Sequence, residues 1–70
     1  MNYKNVAISR VSDKFFKVGE VIPIISKTEL GVTIRSNIAV SFNDPDFIFM
    51  FNTTNEEINK VVETIINKEW

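Results

Sequence analysis

The chain has no cysteine and no histidine, and its seventy residues include only two glycines and two prolines. Lacking cysteine, it can build no disulfide framework, zinc finger, iron–sulfur cluster or thiol nucleophile, so the fold rests on packing alone. Lacking histidine as well, it leaves catalysis to carboxylates, lysines, hydroxyls and one tyrosine, and the usual constellations of nucleophilic hydrolysis are empty. Long hydrophobic runs are missing too. The longest, Val21 to Ile25 and Phe47 to Phe51, have five residues each, far below the roughly 20 that a membrane-spanning helix requires. Met1, Asn2, Tyr3, Lys4 and Asn5 form no apolar segment with a small-residue cleavage site, so no secretion signal is expected and the expected compartment is the cytoplasm. There the sequon Asn52-Thr53-Thr54 is not expected to carry a glycan.

What is present suffices for one domain over residues 1–70, with 44% apolar residues and nine acidic groups against eight basic ones. A chain this short buries only about 60% of its extended surface, which leaves little room for a large substrate cleft. Ten Ile, eight Asn and six Lys are residue types with AT-rich codons, a composition that suits a low-GC bacterium or its phage.

Hydrophobic periodicity divides the chain into strands over about residues 3–51 and a helix over about 54–69. Ile58, Val61, Val62, Ile65 and Ile66 recur at helical spacing, and Thr54 with Glu57 makes a capping box at the start. Lys68 complements the helix dipole at the far end. Upstream, Val6 and Ile8 turn to one side of a half-buried strand, Gly19 supplies a turn, and Pro23 favours an edge or bulge in the strand that follows. Two hairpins are expected next. In the first, Ile34 faces Val40 and Val32 faces Phe42 across Ser36-Asn37-Ile38, with Asn37 left-handed; in the second, Phe42 faces Phe47 and Val40 faces Phe49 across the turn Asn43 to Asp46. Phe47, Phe49 and Phe51 then share the interior face, and Ile48 and Met50 point the other way. A strand that is apolar on both faces needs a second cover. The chain's own C-terminal helix is the first choice, and a partner or second copy the other. The fold class is thus α+β: a small, strongly curved antiparallel sheet or β-barrel of about five strands with one C-terminal α-helix.

The stretch Phe16-Lys17-Val18-Gly19-Glu20-Val21-Ile22, the hairpin through Gly31 to Arg35, and the closing Asp46-Phe47-Ile48-Phe49 together resemble small SH3-like barrels of phage and low-GC bacterial accessory proteins. The resemblance covers residues 14 to 51 and implies a binding module; it places no functional residue, and the appended helix lies outside it.

Charge is polarised. Residues 1 to 40 carry a net charge of +3 and residues 41 to 70 a net charge of −4. Arg10, Lys14 and Lys17 surround Phe15 and Phe16, so that, with Arg35, cations would meet phosphates while a ring stacks on a base. The bland reading of the same residues is a solvated basic loop over buried phenylalanines. At the other end, Asp44, Asp46, Glu56, Glu57, Glu63 and Glu69 either keep the surface hydrated or imitate a nucleic-acid backbone in a basic groove of another protein, as an inhibitor would. Asn43-Asp44-Pro45-Asp46 reads as a turn, and neither a metal site nor a cofactor is expected. The leading expectation is a non-enzymatic interaction protein of phage or mobile-element type that binds a host protein through Ile48, Met50 and the terminal Trp70. The alternative is a nucleic-acid-binding module using Arg10, Lys14, Phe15, Phe16, Lys17 and Arg35. Homodimerisation through a surplus apolar face is a further option, and no membrane partner is expected.

Overall fold

In the computed structural model, which describes residues 3–67, six strands precede one helix. They are β1 (Lys4–Ser9), β2 (Val21–Pro23), β3 (Ser26–Lys27), β4 (Gly31–Ile34), β5 (Ile38–Ser41), β6 (Phe47–Thr53) and α1 (Asn55–Ile66), with a single 3-10 turn at Arg35–Asn37. The strands form two antiparallel sheets, ordered β2-β1-β6 and β3-β4-β5. The sheets meet where the chain leaves Pro23: the Ile24 amide donates to Asn5 O of the first sheet and the next amide, Ile25, to Thr33 O of the second. Pro23, which has no amide hydrogen, ends an edge strand at this corner.

The first sheet is the middle of three layers. One of its faces, through Ala7, Ile22, Phe47 and Phe49, packs on Val32, Ile34 and Val40 of the second sheet. The other, through Val6, Ile8, Ile48 and Met50, packs on Ile58, Val61, Val62 and Ile65 of α1. The helix therefore covers Ile48 and Met50. Residues Val6 to Ser9 are all buried, because β1 is central in its sheet and covered on both sides; it is not the half-buried strand its sequence suggests.

Two registers differ from those expected from parity. In the β4–β5 hairpin Val32 faces Val40 and Ile34 faces Ile38, two residues from the expected pairing and around the turn Arg35–Asn37. Side-chain alternation specifies register only in steps of two, and turn chemistry chooses among them. Here Ser36 and Asn37 both take left-handed φ, 59° and 58°, which turns the chain one residue earlier and so shifts the pairing by two. The second hairpin does not form. Strand β6 leaves β5 and pairs with β1, matching Ile8 to Ile48 and Ala7 to Phe49. The nearby partner costs less loop entropy, but only β1 lies between two apolar layers, and a strand with two apolar faces gains more there.

A register shift between Lys4 and Val6 interrupts this pairing, which resumes with Lys4 opposite Thr53, and there Asn52, at φ 54°, donates its amide to Asn5 Oδ1 at 2.8 Å. Phe51 consequently sits at the rim, 36% exposed and edge-on to Phe42 at 6.0 Å, instead of joining Phe47 and Phe49 inside.

Helix α1 begins as its sequence dictates. Thr54 Oγ1 accepts from the Glu57 amide while Glu57 Oε1 accepts from the Thr54 amide, a reciprocal cap that contributes about 1 kcal/mol. Ile66, the last member of the expected stripe, is exposed, although its side chain borders Gly19. Lys68, Glu69 and Trp70 lie outside the described residues.

Candidate binding site

The connection from β1 to β2 is a loop held by its own polar side chains. Asp13 Oδ1 accepts from the amides of Phe15 and Phe16 at 2.8 and 2.9 Å, and the Asp13 amide donates to Phe16 O, so one carboxylate closes a complete turn. Ser12 Oγ accepts from the Val18 amide, and Glu20 Oε1 from the Lys17 amide at 2.9 Å. Gly19 then turns the chain at φ 82°, the left-handed region that glycine enters without penalty, and donates its amide to Ser9 O. The amides of Asp13 and of Phe15 to Glu20 are thus satisfied within the loop or by Ser9, and the loop's cationic side chains remain on the outside.

This turn separates the two adjacent phenylalanines. Phe16 points into the core, edge-on to Phe47 at 5.3 Å, and is buried. Phe15 points out and is 58% exposed, with Lys14 Nζ 5.1 Å from its ring centre. Arg35, from the β4–β5 turn, reaches across to the loop. Its guanidinium lies 4.8 Å from the Phe16 ring centre, donates through Nη2 to Phe15 O at 2.6 Å and pairs through Nη1 with Glu20 Oε2. Together these residues line an open cavity of about 550 Å³, walled by Asp13, Lys14, Phe15, Lys17, Glu20 and Arg35.

The Glu20 carboxyl is held below the usual glutamate range, first by the Lys17 amide it accepts from and then by Arg35. An acid with a depressed native pKa contributes stability that is complete above its unfolded pKa and is lost as pH falls through the native value. The loop is therefore expected to keep its Arg35 latch below the ordinary glutamate midpoint. A carboxyl-carbon NMR titration of Glu20 with a midpoint at or above that of an unstructured glutamate would contradict this.

The structure brings together five of the six basic and aromatic residues expected to act in concert: Lys14, Phe15, Phe16, Lys17 and Arg35. Phe16 is not a stacking surface, since the core covers one side of it and Arg35 the other. Arg10 is turned away, donating from Nη1 to Pro45 O at 3.1 Å and from its backbone amide to Asp46 O. Of the residues expected to contact a protein, Ile48 and Met50 are half-buried beneath α1, which takes the seat a partner would have used. Trp70 lies outside the described residues. Asp44 forms a turn, its Oδ1 accepting from the Asp46 amide at 2.9 Å. Among the described residues no helix is long and apolar enough to cross a membrane.

Sequence inspection missed Glu20, whose partner is fifteen residues away. It also missed Leu30 and Ile25, which are 82% and 63% exposed. Leu30 borders a second cavity of about 440 Å³ on the outside of the β4–β5 hairpin, over Thr33, Ala39 and Ser41. Comparison with protein-family models, with curated proteins and with solved structures finds no match to this chain.

Proposed function

We propose that the chain is a small non-enzymatic binding module of SH3-like arrangement, and that its working surface is the loop from Asp13 to Glu20 together with Arg35, which engages single-stranded nucleic acid. The observation that carries this reading is the pairing of an exposed ring, Phe15, with Lys14, Lys17 and Arg35 around one open cavity. A ring with a free face accepts any base by stacking, and surrounding cations meet the flanking phosphates. Exposed aromatic and cationic groups on one face, with the Asp13 and Glu20 carboxylates already engaged by backbone amides and Arg35, suit binding better than chemistry.

The SH3-like part of the proposal draws support from the order of the strands. Taking β2 and β3 as the two halves of one bent strand, the chain follows a single curved ribbon β6-β1-β2/β3-β4-β5, of about five strand lengths, as the resemblance implies.

Fluorescence anisotropy with a labelled oligothymidylate tests the site. Binding is expected at about 50 mM salt and should weaken steeply towards about 200 mM as counterions are no longer released to advantage. Phe15→Ala should weaken binding about tenfold or more with an unchanged salt slope, because stacking is lost and charge is not. No anisotropy change at low salt overturns the reading. A second reading, a protein partner of phage or bacterial-host type, is favoured by exposed Leu30 and Ile25, and that failure would leave it standing.

A further inference from the structure

Arg35 is held in place by two contacts that do not involve Glu20. Its Nη2 donates to Phe15 O at 2.6 Å, and its guanidinium face covers the buried Phe16 ring at 4.8 Å. The third contact, Nη1 to Glu20 Oε2, is different in kind: it joins two side chains that both face the cavity, with 47% of the Arg35 side chain and 27% of the Glu20 side chain exposed. Glu20 Oε1 meanwhile takes the Lys17 amide at 2.9 Å. One carboxylate thus bridges a guanidinium and a backbone N–H with its two oxygens, on the wall of a cavity that Lys14 and Lys17 also line.

We infer that Glu20 is a built-in occupant of the anion seat of this site, and that a ligand phosphate binds by displacing its carboxylate from Arg35 Nη1 and the Lys17 amide. The inference rests on the nucleic-acid reading of the cavity and adds how that site is regulated. Two donors fixed by the protein can hold two oxygens of a phosphate as they hold two of a carboxylate, since both anions suit the same forked donors. Because Arg35 keeps its Phe15 and Phe16 anchors, the exchange requires rotation of the Glu20 side chain alone. The carboxylate has two effects in the free protein. It keeps a guanidinium from standing unpaired beside the other cations, and it lowers affinity for anions by competing for the seat. A ligand with a single weak phosphate contact would not displace it, whereas one that also stacks on Phe15 and meets Lys14 and Lys17 would, so the carboxylate raises the threshold for binding.

The test compares the wild-type chain with Glu20→Gln, using labelled oligothymidylate. Glutamine still accepts from the Lys17 amide but leaves Arg35 with its charge uncompensated. It is expected to bind about tenfold tighter, as one like charge a few ångströms from the phosphate is removed. The slope of log affinity against log salt should stay close to that of the wild type, because Arg35 meets the same phosphate in both proteins and only the competing carboxylate is gone. The double variant Glu20→Gln with Arg35→Gln should return the affinity to the wild-type value or below. Equal or weaker binding by Glu20→Gln, with the wild type binding, makes Glu20 a structural latch only; it overturns the inference and leaves the site reading intact. Absence of binding by both proteins overturns the site reading and the inference with it. A second measurement does not depend on the variant's folding: the Glu20 carboxyl-carbon resonance of the wild-type chain should shift on saturation with the oligonucleotide. A resonance that stays in place while Phe15 signals move would also overturn the displacement.

Discussion

Replacing Gly31 with alanine is expected to destabilise the protein by more than about 3 kcal/mol, a large part of its stability. A methyl group there would lie 2.0 Å from the Val40 carbonyl oxygen and 2.9 Å from Ser41 Cα. Both are backbone atoms of the paired strand β5, so no side-chain rotation relieves the clash. The strands would have to separate where Gly31 faces Ser41, next to the bond from the Phe42 amide to Leu30 O. Ordinary overpacking costs about 1–3 kcal/mol, and a collision with backbone should exceed the upper figure. A domain of this length has only about 4–10 kcal/mol in hand. Gly31 does not owe its identity to left-handed backbone, since Gly19 is the glycine with positive φ. Gly19→Ala meets a flexible neighbour, the end of the Ile66 side chain at 3.1 Å, together with a strained φ. Its cost should be nearer 1–2 kcal/mol. Urea denaturation of both variants checks the order, and a Gly31→Ala protein no less stable than Gly19→Ala would refute the close approach of β4 and β5.

Ile8→Ala should be the most damaging truncation between the first sheet and the helix. Ile8 is fully buried, with Val6, Ile58 and Ile65 around it and Ile48, Met50, Val61 and Val62 completing the layer. The cavity left by an isoleucine truncated to alanine costs about 2–5 kcal/mol. The upper half of that range applies here, because neighbours fixed in strands on one side and a helix on the other collapse poorly into the space. Leu30→Ala, at a residue 82% exposed, should change stability by less than about 0.5 kcal/mol and serves as the control. If the two variants melt within a degree of each other, α1 is not seated on β1 and β6, and the three-layer arrangement is wrong.

These effects indicate which parts of the molecule a reader could see in the chain and which not. Helix α1 was legible because its determinants are local: Thr54 and Glu57 three residues apart, then apolar residues at helical spacing. The two-faced character of Phe47 to Phe51 was legible for the same reason, and with it the need for a cover that the helix meets through Ile48 and Met50. The strand that flanks β6 was not. Pairing with β1 joins residues some forty positions apart, Ile8 with Ile48, and alternation within a strand carries no information about which neighbour it takes. In the β4–β5 hairpin the phase of the side chains was legible and the register was not, since pairing can slip by two without moving any group to the other face.

At the candidate site the residue types were evident and their division of labour was not. Phe15 and Phe16 are chemically identical neighbours, and only the Asp13-closed turn sends one to Phe47 and leaves the other outside. Arg10 and Arg35 looked equivalent as cations, yet one is spent on Pro45 and the other crosses to Glu20 and Phe15.

The amino-acid order by itself therefore determined the capped helix, the doubly apolar last strand and the absence of thiol and imidazole chemistry, because each follows from composition or from contacts within a few residues. The tertiary structure decided that β1 is the shared wall of two cores, that Gly31 admits no side chain, and that Glu20 sits on Arg35. Those depend on distant segments meeting, and the burial gained by all of them together, which no local pattern records, selects the arrangement.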